Sequence, residues 1–429
     1  MNLFSLPSPK YSLVKLPSRV YGLTKWDPNA FNVSLQVPYI TLQPQMISAV
    51  AKVLKRYTLK LPHICCIRPA TDPPKRELLL HPDYIQTFDD FDANHQEMLR
   101  KNCQIDSVQS CNLELTLKNW RPLDLLKAVT EDVDKNIPCL SSYSVIGHII
   151  HVNLKQHHLP KKEIIGHILL NSVSPQIRTV INKNTGIDNK FRNFQHEILA
   201  GEDDFMVTVK ESGCQFQMDF SQVYWNPRLS TEHERIIDKL HKGDTLFDCF
   251  AGVGPFAVPT GKKGIQVWAN DLNPESYKWL VNNVKLNKVA ERVQCFNMDG
   301  RDFIRQKLPK VIANKGPEGK IYVTMNLPAL AIEFLDAFRE AFESIQSNET
   351  IYIEVYSFSE ATDQEKDVMS RCLVALGLED AQDELKPPMK TSFVRNVAPK
   401  KDMFRISFPL SKSCFESTSA KRLKTCQES

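Results

Sequence analysis

Asp248-Cys249-Phe250-Ala251-Gly252-Val253-Gly254-Pro255-Phe256 is the stretch whose reading decides the fold. It closes an apolar strand ending Leu246-Phe247, turns tightly on glycine, and opens a helix with proline near its first turn. A loop of this kind is the nucleotide-side turn of a doubly wound α/β sheet. Gly252, Gly254 and Ala257 also satisfy the dinucleotide pattern G-x-G-x-x-G/A. Asp248 argues against that use, because a carboxylate beside the turn repels a pyrophosphate. It suits a ligand carrying an ammonium and a sulfonium, and S-adenosylmethionine is such a ligand.

Outward from this loop the chain shows strand–helix alternation. Candidate strands are Thr245–Asp248, Ile265–Asn270, Val293–Met298, Ile321–Met325 and Ile351–Tyr356, with helical patterns over Pro274–Leu286 and Ala331–Ile345. That rhythm predicts a parallel sheet covered on both faces. Phe404–Phe408 offers a late strand for the end of the sheet. The expected fold class is α/β, a Rossmann-like class I methyltransferase domain preceded by two smaller α+β domains. The expected boundaries are 1–135 for an accessory domain, 136–223 for a middle domain, 224–410 for the methyltransferase domain, and 411–429 for a polar, disordered tail. In the first part Leu113–Leu117 reads as a strand and Pro122–Val133 as a helix; in the second, Val145–Val152 reads as a strand, and Phe205–Val209 as a strand running toward a turn at Gly213. Lys183, Lys190 and Arg192 around Phe191 and Phe194 suit RNA, or equally a solvated charged face.

Composition sets bounds on the rest. A chain of 429 residues with 42% apolar content holds two or three domains, and a net charge of +4 permits nucleic-acid binding without requiring it. None of the 11 cysteines forms a C-x-x-C pair, so no metal site is expected and the thiols read as reduced. No apolar run is long enough for a membrane span, and no secretory h-region is present. The first 26 residues carry Lys10, Lys15, Arg19 and Lys25 and no acid, as a mitochondrial presequence does; Pro7, Pro9 and Pro17 leave a plain flexible arm equally open.

Ligands of open α/β sheets bind past the carboxyl ends of the strands. Four successive ends here carry Asp248, Asp271, Asp299 and Asn326. Asp248 with the glycine turn can hold the methionine end, Asp271 the ribose hydroxyls, and Asp299, backed by Gly300, the adenine amine. Each could also cap the following helix; it is the ordered series that points to S-adenosylmethionine. Asn326-Leu327-Pro328-Ala329 stands where amino-methyltransferases carry Asn/Asp-Pro-Pro-aromatic. The departure points from an exocyclic amine toward a ring nitrogen of a purine. Before the loop lies Tyr224-Trp225-Asn226-Pro227-Arg228-Leu229-Ser230-Thr231-Glu232-His233, which is expected to bring Arg228, Glu232 and His233 together at a helix start. A carboxylate and a cation are what methylation of guanine N1 needs, one to take the N1 proton and one to hold charge on O6.

With Phe191-Arg192, Leu199–Glu202, Asn226–Glu232, the glycine loop, Asn270–Pro274 and Asn326–Pro328 in this order, the chain resembles the eukaryotic–archaeal tRNA (guanine(37)-N1)-methyltransferase family over roughly residues 140 to 410. The resemblance implies Glu232 as general base, Arg192 as the stabiliser of charge on O6, and Asn326 as the holder of the target base. Tyr224, Arg228 and Pro328 would shape the base pocket, and His233, Asp271, Leu272, Asp299 and Gly300 would contact the cofactor. It further implies an N-terminal domain that senses the tRNA body, a monomer acting on tRNA, and residence in cytoplasm, nucleus and mitochondrial matrix. A related family that transfers an aminocarboxypropyl group from the same cofactor would share the loop and the carboxylate series; the Asn226–Glu232 stretch favours methylation. A degenerate, non-catalytic RNA-binding module would not need those carboxylates.

Overall fold

The structure, a computed structural model, describes residues 12–130, 139–140, 142–187, 194–316 and 318–415. Two compact units emerge. One holds the described residues up to Asn184 together with His196–Asp204, the other Thr185–Gln195 and the chain from Phe205 onward. The expected division at residue 135 falls inside the first unit. Val37, Leu115 and Leu125 from one side of it share a core with Ile150, Ile165 and Ile168 from the other.

Within the first unit, Ile67–Pro69, Arg76–Leu79, Val33–Leu42 and Gln109–Leu115 form an antiparallel sheet in that spatial order. The expected single strand Val145–Val152 is two strands, Ser144–Ile146 and Ile149–Val152, folded back at Gly147 with φ +58° so that Ile146 faces Ile149. The expected arm is part of the fold from residue 12. Arg19 donates to the carbonyls of Ala30 at 3.0 Å and Asn32 at 2.6 Å, Val20 is buried, and Trp26 stacks on His167.

The second unit contains a seven-stranded sheet: β1 (Thr245–Asp248), β2 (Gln266–Asn270), β3 (Val293–Phe296), β4 (Ile321–Met325), β5 (Ile351–Ser359), β6 (Lys390–Ala398) and β7 (Lys401–Leu410), in spatial order 3-2-1-4-5-7-6. The first five are parallel and β7 runs antiparallel to β5. Every residue of β1 is buried, as befits a strand covered on both faces. The order reverses direction between β1 and β4, and that switch point opens the ligand crevice. Asn273 and Asp299 cap the helices after β2 and β3, accepting from Glu275 N at 3.0 Å and Arg301 N at 2.9 Å, with Pro274 in the first turn of the former. The late strand is not at the sheet edge: β6 lies outside β7, half exposed and bulged, a pattern that gives little apolar signal. Nor is the tail polar throughout, since Phe415 is buried against Phe342.

A hairpin, Met206–Glu211 with Cys214–Asp219, belongs to this unit rather than to a middle domain. Its attachment is a ladder of carboxamides on the helix Pro274–Leu286 and the residue that ends it. Asn283 accepts from Gln217 N at 2.8 Å and donates to the carbonyls of Gln217 at 3.2 Å and Val253 at 3.1 Å. Asn287 repeats the pattern one turn on, with Gln215 N at 2.9 Å and Gln215 O at 2.7 Å. The two side chains thus serve the hairpin edge as a neighbouring strand would.

Asn283 is fully buried, so truncation orphans its backbone partners. Asn283→Ala should cost about 2–4 kcal/mol, whereas the more exposed Asn287→Ala should cost roughly 1 or less. Urea unfolding gives the totals, and hydrogen exchange should rise across residues 206–219 in the first variant far more than in the second.

Candidate active site

One side chain sets the geometry of the strand ends. Asn270, last in β2 and fully buried, accepts from Met298 N at 2.9 Å and donates to the carbonyls of Met298 at 3.0 Å and Cys249 at 3.2 Å. The carboxyl ends of β1, β2 and β3 are thereby tied to one carboxamide. Sequence reasoning quoted Asn270 only within a motif. The available signal was a carboxamide closing a buried strand, which must find partners.

Asp271 follows, half-buried, with Oδ2 accepting from Gly252 N at 2.8 Å and Oδ1 from Asn273 N at 2.9 Å. A carboxylate has further lone pairs beyond these two bonds, so a ribose can still be held. Burial outweighs both N–H donors and pushes Asp271 up to about 6. The turn itself carries Gly252 at φ +54° and Gly254 at φ +101°; a Cβ on Gly254 would lie 2.8 Å from Leu280 Cδ1, whereas a Cβ on Gly252 would enter open space.

Asp248 differs from the expectation that it holds the methionine end directly. It is wholly buried, so its carboxyl is not open to direct contact with a ligand in the turn. Neither carboxyl oxygen makes a hydrogen bond of good geometry, and the Thr324 hydroxyl is likewise unpaired. That hydroxyl and the Phe250 N–H lie near enough to favour the charged form, but burial prevails, and Asp271 adds to it; Asp248 is pushed up to about 7. An orphaned acid under an open glycine cradle, with no cation paired to it among the described residues, fits a cationic ligand.

Asp299 spends one oxygen on its cap and keeps the other. Gly300 has a packing role: a Cβ there would sit 2.9 Å from both Phe250 and Phe334, whose rings meet edge to face at 5.0 Å. Leu272, next to Asp271, is half-buried, its carbonyl held by Asn297 at 3.1 Å. At the end of β4, Asn326 is half-buried, and among the described residues its carboxamide has no hydrogen-bond partner. The carbonyl of Leu327 is occupied twice, by Leu330 N at 2.8 Å and Ala331 N at 2.7 Å, and that of Pro328 by Phe358 N at 3.0 Å. The two carbonyls that follow Asn326 in this turn are thus already engaged.

Ahead of the loop, Asn226 caps the short helix Pro227–Leu229 and its Nδ2 donates to Tyr224 Oη at 3.1 Å; Tyr224 is 53% exposed. Arg228 is exposed and, among the described residues, makes no ion pair with Glu232, whose charged partners are Arg235 and Arg405. His233 is buried, its Nδ1 2.6 Å from Glu211 and its ring against Phe256 of the glycine loop, so it supports the loop instead of standing open to a ligand. Glu232 is buried too; Oε1 accepts from Arg405 at 2.6 Å and from Tyr356 at 3.1 Å, and Oε2 pairs with Arg235 at 3.0 Å. Neither Arg405 nor Tyr356 was singled out from the sequence. Arg192, with Lys190 and Phe191, lies outside the described residues. Among the described residues no cluster of three or more His, Cys, Asp or Glu could hold a metal, and no helix is long and apolar enough to cross a membrane.

Comparison with known proteins completes this picture. The family described as the TRM5/TYW2 methyltransferase domain matches residues 207–368, and the TYW2 N-terminal domain matches 124–204. The chain is 40% identical to the Danio rerio tRNA (guanine(37)-N(1))-methyltransferase, over 97% of this chain and 88% of the relative. The chain belongs to this family. The human tRNA (guanine(37)-N(1))-methyltransferase is 40% identical over 92% of this chain and 77% of its own length. Among solved structures, Pyrococcus abyssi Trm5b superposes with a TM-score of 0.59 at 22% identity, covering 86% of this chain and 98% of that one. The complex of aTrm5 with tRNALeu gives 0.60 at 20% identity, covering 87% and 99%. At these identities the structural likeness speaks to the fold alone, and it extends the family's architecture over most of the chain.

Two expectations follow for this methyltransferase site. Asp248 keeps its proton in the fold to about pH 7 but loses it near the ordinary carboxylate value when unfolded. Its contribution to stability is therefore complete at low pH and is lost as pH rises through about 7. Asp248→Asn should flatten that decline, seen as a smaller fall in melting temperature between pH 5 and pH 8 for the ligand-free protein; an unchanged slope would show that Asp248 is ionised throughout. Separately, Asp271→Ala should weaken S-adenosylmethionine binding roughly ten- to a hundredfold, the worth of one charge-assisted hydrogen bond, while tRNA binding persists. Calorimetric titration of both ligands checks this.

Proposed function

We infer that this protein transfers a methyl group from S-adenosylmethionine to N1 of guanine 37 in tRNA. Family membership over 97% of the chain is the observation that carries the reading. The crevice at the β1–β4 switch point is where the reaction belongs. When bound, S-adenosylmethionine supplies an electrophilic methyl group on a sulfonium. The glycine turn, Asp271, Leu272 and Asp299 would hold it, with Asp248 lending charge from below and Gly300 keeping Phe250 and Phe334 in place.

Asn326, unpaired at the end of β4, would orient the guanine, with Tyr224, Arg228 and Pro328 around it. The doubly engaged carbonyl of Leu327 supports a ring nitrogen as target, since an exocyclic amine would find that acceptor already taken. Glu232 would take the N1 proton. Its Oε1 is engaged by Arg405 and Tyr356, which leaves Oε2, paired among the described residues with the partly exposed Arg235, as the oxygen that can turn to a substrate. Arg192 would hold the charge that develops on O6. We take the enzyme to act as a monomer.

Glu232→Gln retains shape and the contacts with Arg405 and Tyr356 but is no base. Single-turnover methyl transfer should fall by about 10²–10⁴ near neutral pH, with cofactor and tRNA affinities nearly unchanged, and should recover partly at alkaline pH. Arg192→Ala should lose about 10²–10³ without alkaline rescue, because its task is to hold charge. Wild-type rates in Glu232→Gln would refute the base assignment and leave the family reading intact.

A further inference from the structure

The charged groups behind Glu232 form a buried network that the methyl-transfer reading does not by itself require. Arg405, in β7, is 5% exposed and lies opposite Tyr356 of β5 in the sheet register. Its Nη1 donates to Glu232 Oε1 at 2.6 Å, and its Nη2 reaches Ser392 Oγ at 3.3 Å in β6. Its Nε stands 3.1 Å from Glu354 Oε2, an ion pair without the alignment of a hydrogen bond. Glu354 is anchored in turn by Lys239 Nζ at 2.8 Å and Ser407 Oγ at 2.5 Å. Tyr356, fully buried, donates to the same oxygen of Glu232 as Arg405; burial and the adjacent carboxylate hold its hydroxyl well above the ordinary tyrosine range, so it remains a donor. Among the described residues, the charged and hydrogen-bonding contacts of Glu232 come from Arg235 of its own helix, Tyr356 of β5 and Arg405 of β7, while Glu354 of β5 faces Arg405 from the other side.

A buried carboxylate with a single loose partner would rotate, and it would take up a proton readily. Here one oxygen is pinned by a guanidinium and a phenol from two different strands, and the other meets, among the described residues, Arg235, whose side chain is 47% exposed. We propose that Arg405 is a positioning residue for the methyl-transfer reaction: together with Tyr356 it fixes Glu232 Oε1 so that Oε2 is presented as the basic oxygen. Arg235, by contrast, is a displaceable counter-ion that leaves Oε2 when substrate arrives.

The inference rests on Glu232 being the base, and the experiment separates the two. Single-turnover transfer to tRNA, with labelled S-adenosylmethionine at saturating concentration, is measured from pH 5.5 to 8.5 for wild type, Glu232→Gln, Arg405→Met, Arg405→Lys, Tyr356→Phe and Arg235→Ala. An opposite charge within hydrogen-bond reach moves a carboxylate's titration by about 1–3 pH units. Arg405→Met should therefore shift the acid limb of the rate profile upward by about one to two pH units, a loss of roughly 10- to 100-fold at pH 6 that narrows to a few-fold by pH 8.5. Arg405→Lys keeps the charge and should restore the limb while losing the fork geometry, leaving a smaller deficit at all pH values. Tyr356→Phe should move the limb in the same direction by less, and Arg235→Ala should leave it within about threefold of wild type, as expected of a screened ion pair.

A uniform loss at every pH in Arg405→Met, tracking a lowered melting temperature, would make Arg405 merely structural and overturn the proposal. So would an unchanged profile in a folded variant. If Arg405→Met does not fold, the Arg405→Lys and Tyr356→Phe profiles decide the matter by the same criterion. Wild-type transfer by Glu232→Gln would instead remove the base assignment on which the inference rests.

Discussion

The fold of the catalytic unit is organised around the buried carboxamide of Asn270. A parallel sheet leaves the carboxyl ends of its strands without ladder partners, so the loops that leave them could diverge. By accepting from Met298 and donating to Met298 and Cys249, Asn270 closes three of those ends on a single polar centre. The alignment of Asp248, Asp271 and Asp299 follows from that closure, as does the tight path of the glycine turn, which Asp271 then secures through the Gly252 N–H. An apolar residue at position 270 would fill the same volume and leave these backbone groups in an apolar interior, at a cost of about 1–3 kcal/mol for each one orphaned.

The carboxylates of this unit fall into two populations. Glu211, Glu232 and Glu354 are buried with partners that carry or can carry positive charge: His233, Arg405 and Lys239. Asp248 and Asp271 lie under and beside the turn with backbone donors at best, and both are raised by burial. The acids beside the cradle thus differ from Glu211, Glu232 and Glu354 in having no charged partner among the described residues, which is consistent with a ligand that brings its own positive charge. The paired set has the opposite character. It is rigid and already compensated, which suits groups whose orientation matters more than their affinity for a cation.

Much of this was legible in the sequence, and the limits have physical causes. Strands β1 and β4 and the helix Pro274–Leu286 fall where apolar runs, Asn-Pro capping and glycine placed them, because buried parallel strands carry an unambiguous signal. The carboxylate series and the Glu232-His233 pair were legible as residues in order. Their surroundings were not: that Asp248 is sealed beneath the turn, that His233 faces Glu211, and that Glu232 meets Arg405 173 residues away depend on tertiary packing with no local trace. The edge strand β6 was missed since its half-exposed, bulged pattern resembles a loop. The boundary near residue 135 was misplaced because proline-rich texture marks turns as readily as it marks linkers, and the core of the first unit runs straight across it.

The asparagine ladder has a consequence for where the catalytic part of the chain can be cut. Residues 206–219 look, by sequence alone, like the tail of a preceding domain, and a truncation at 224 would seem natural. The hairpin nevertheless supplies the backbone that satisfies Asn283 and Asn287 and the carboxylate that satisfies His233. A fragment starting at 224 would expose an asparagine-lined helix and release the histidine that braces Phe256 and, through it, the glycine loop. A cut that keeps this unit's packing therefore has to fall before the hairpin, and one made at Phe205 would still separate Thr185–Gln195, and with it Arg192, from the unit they belong to.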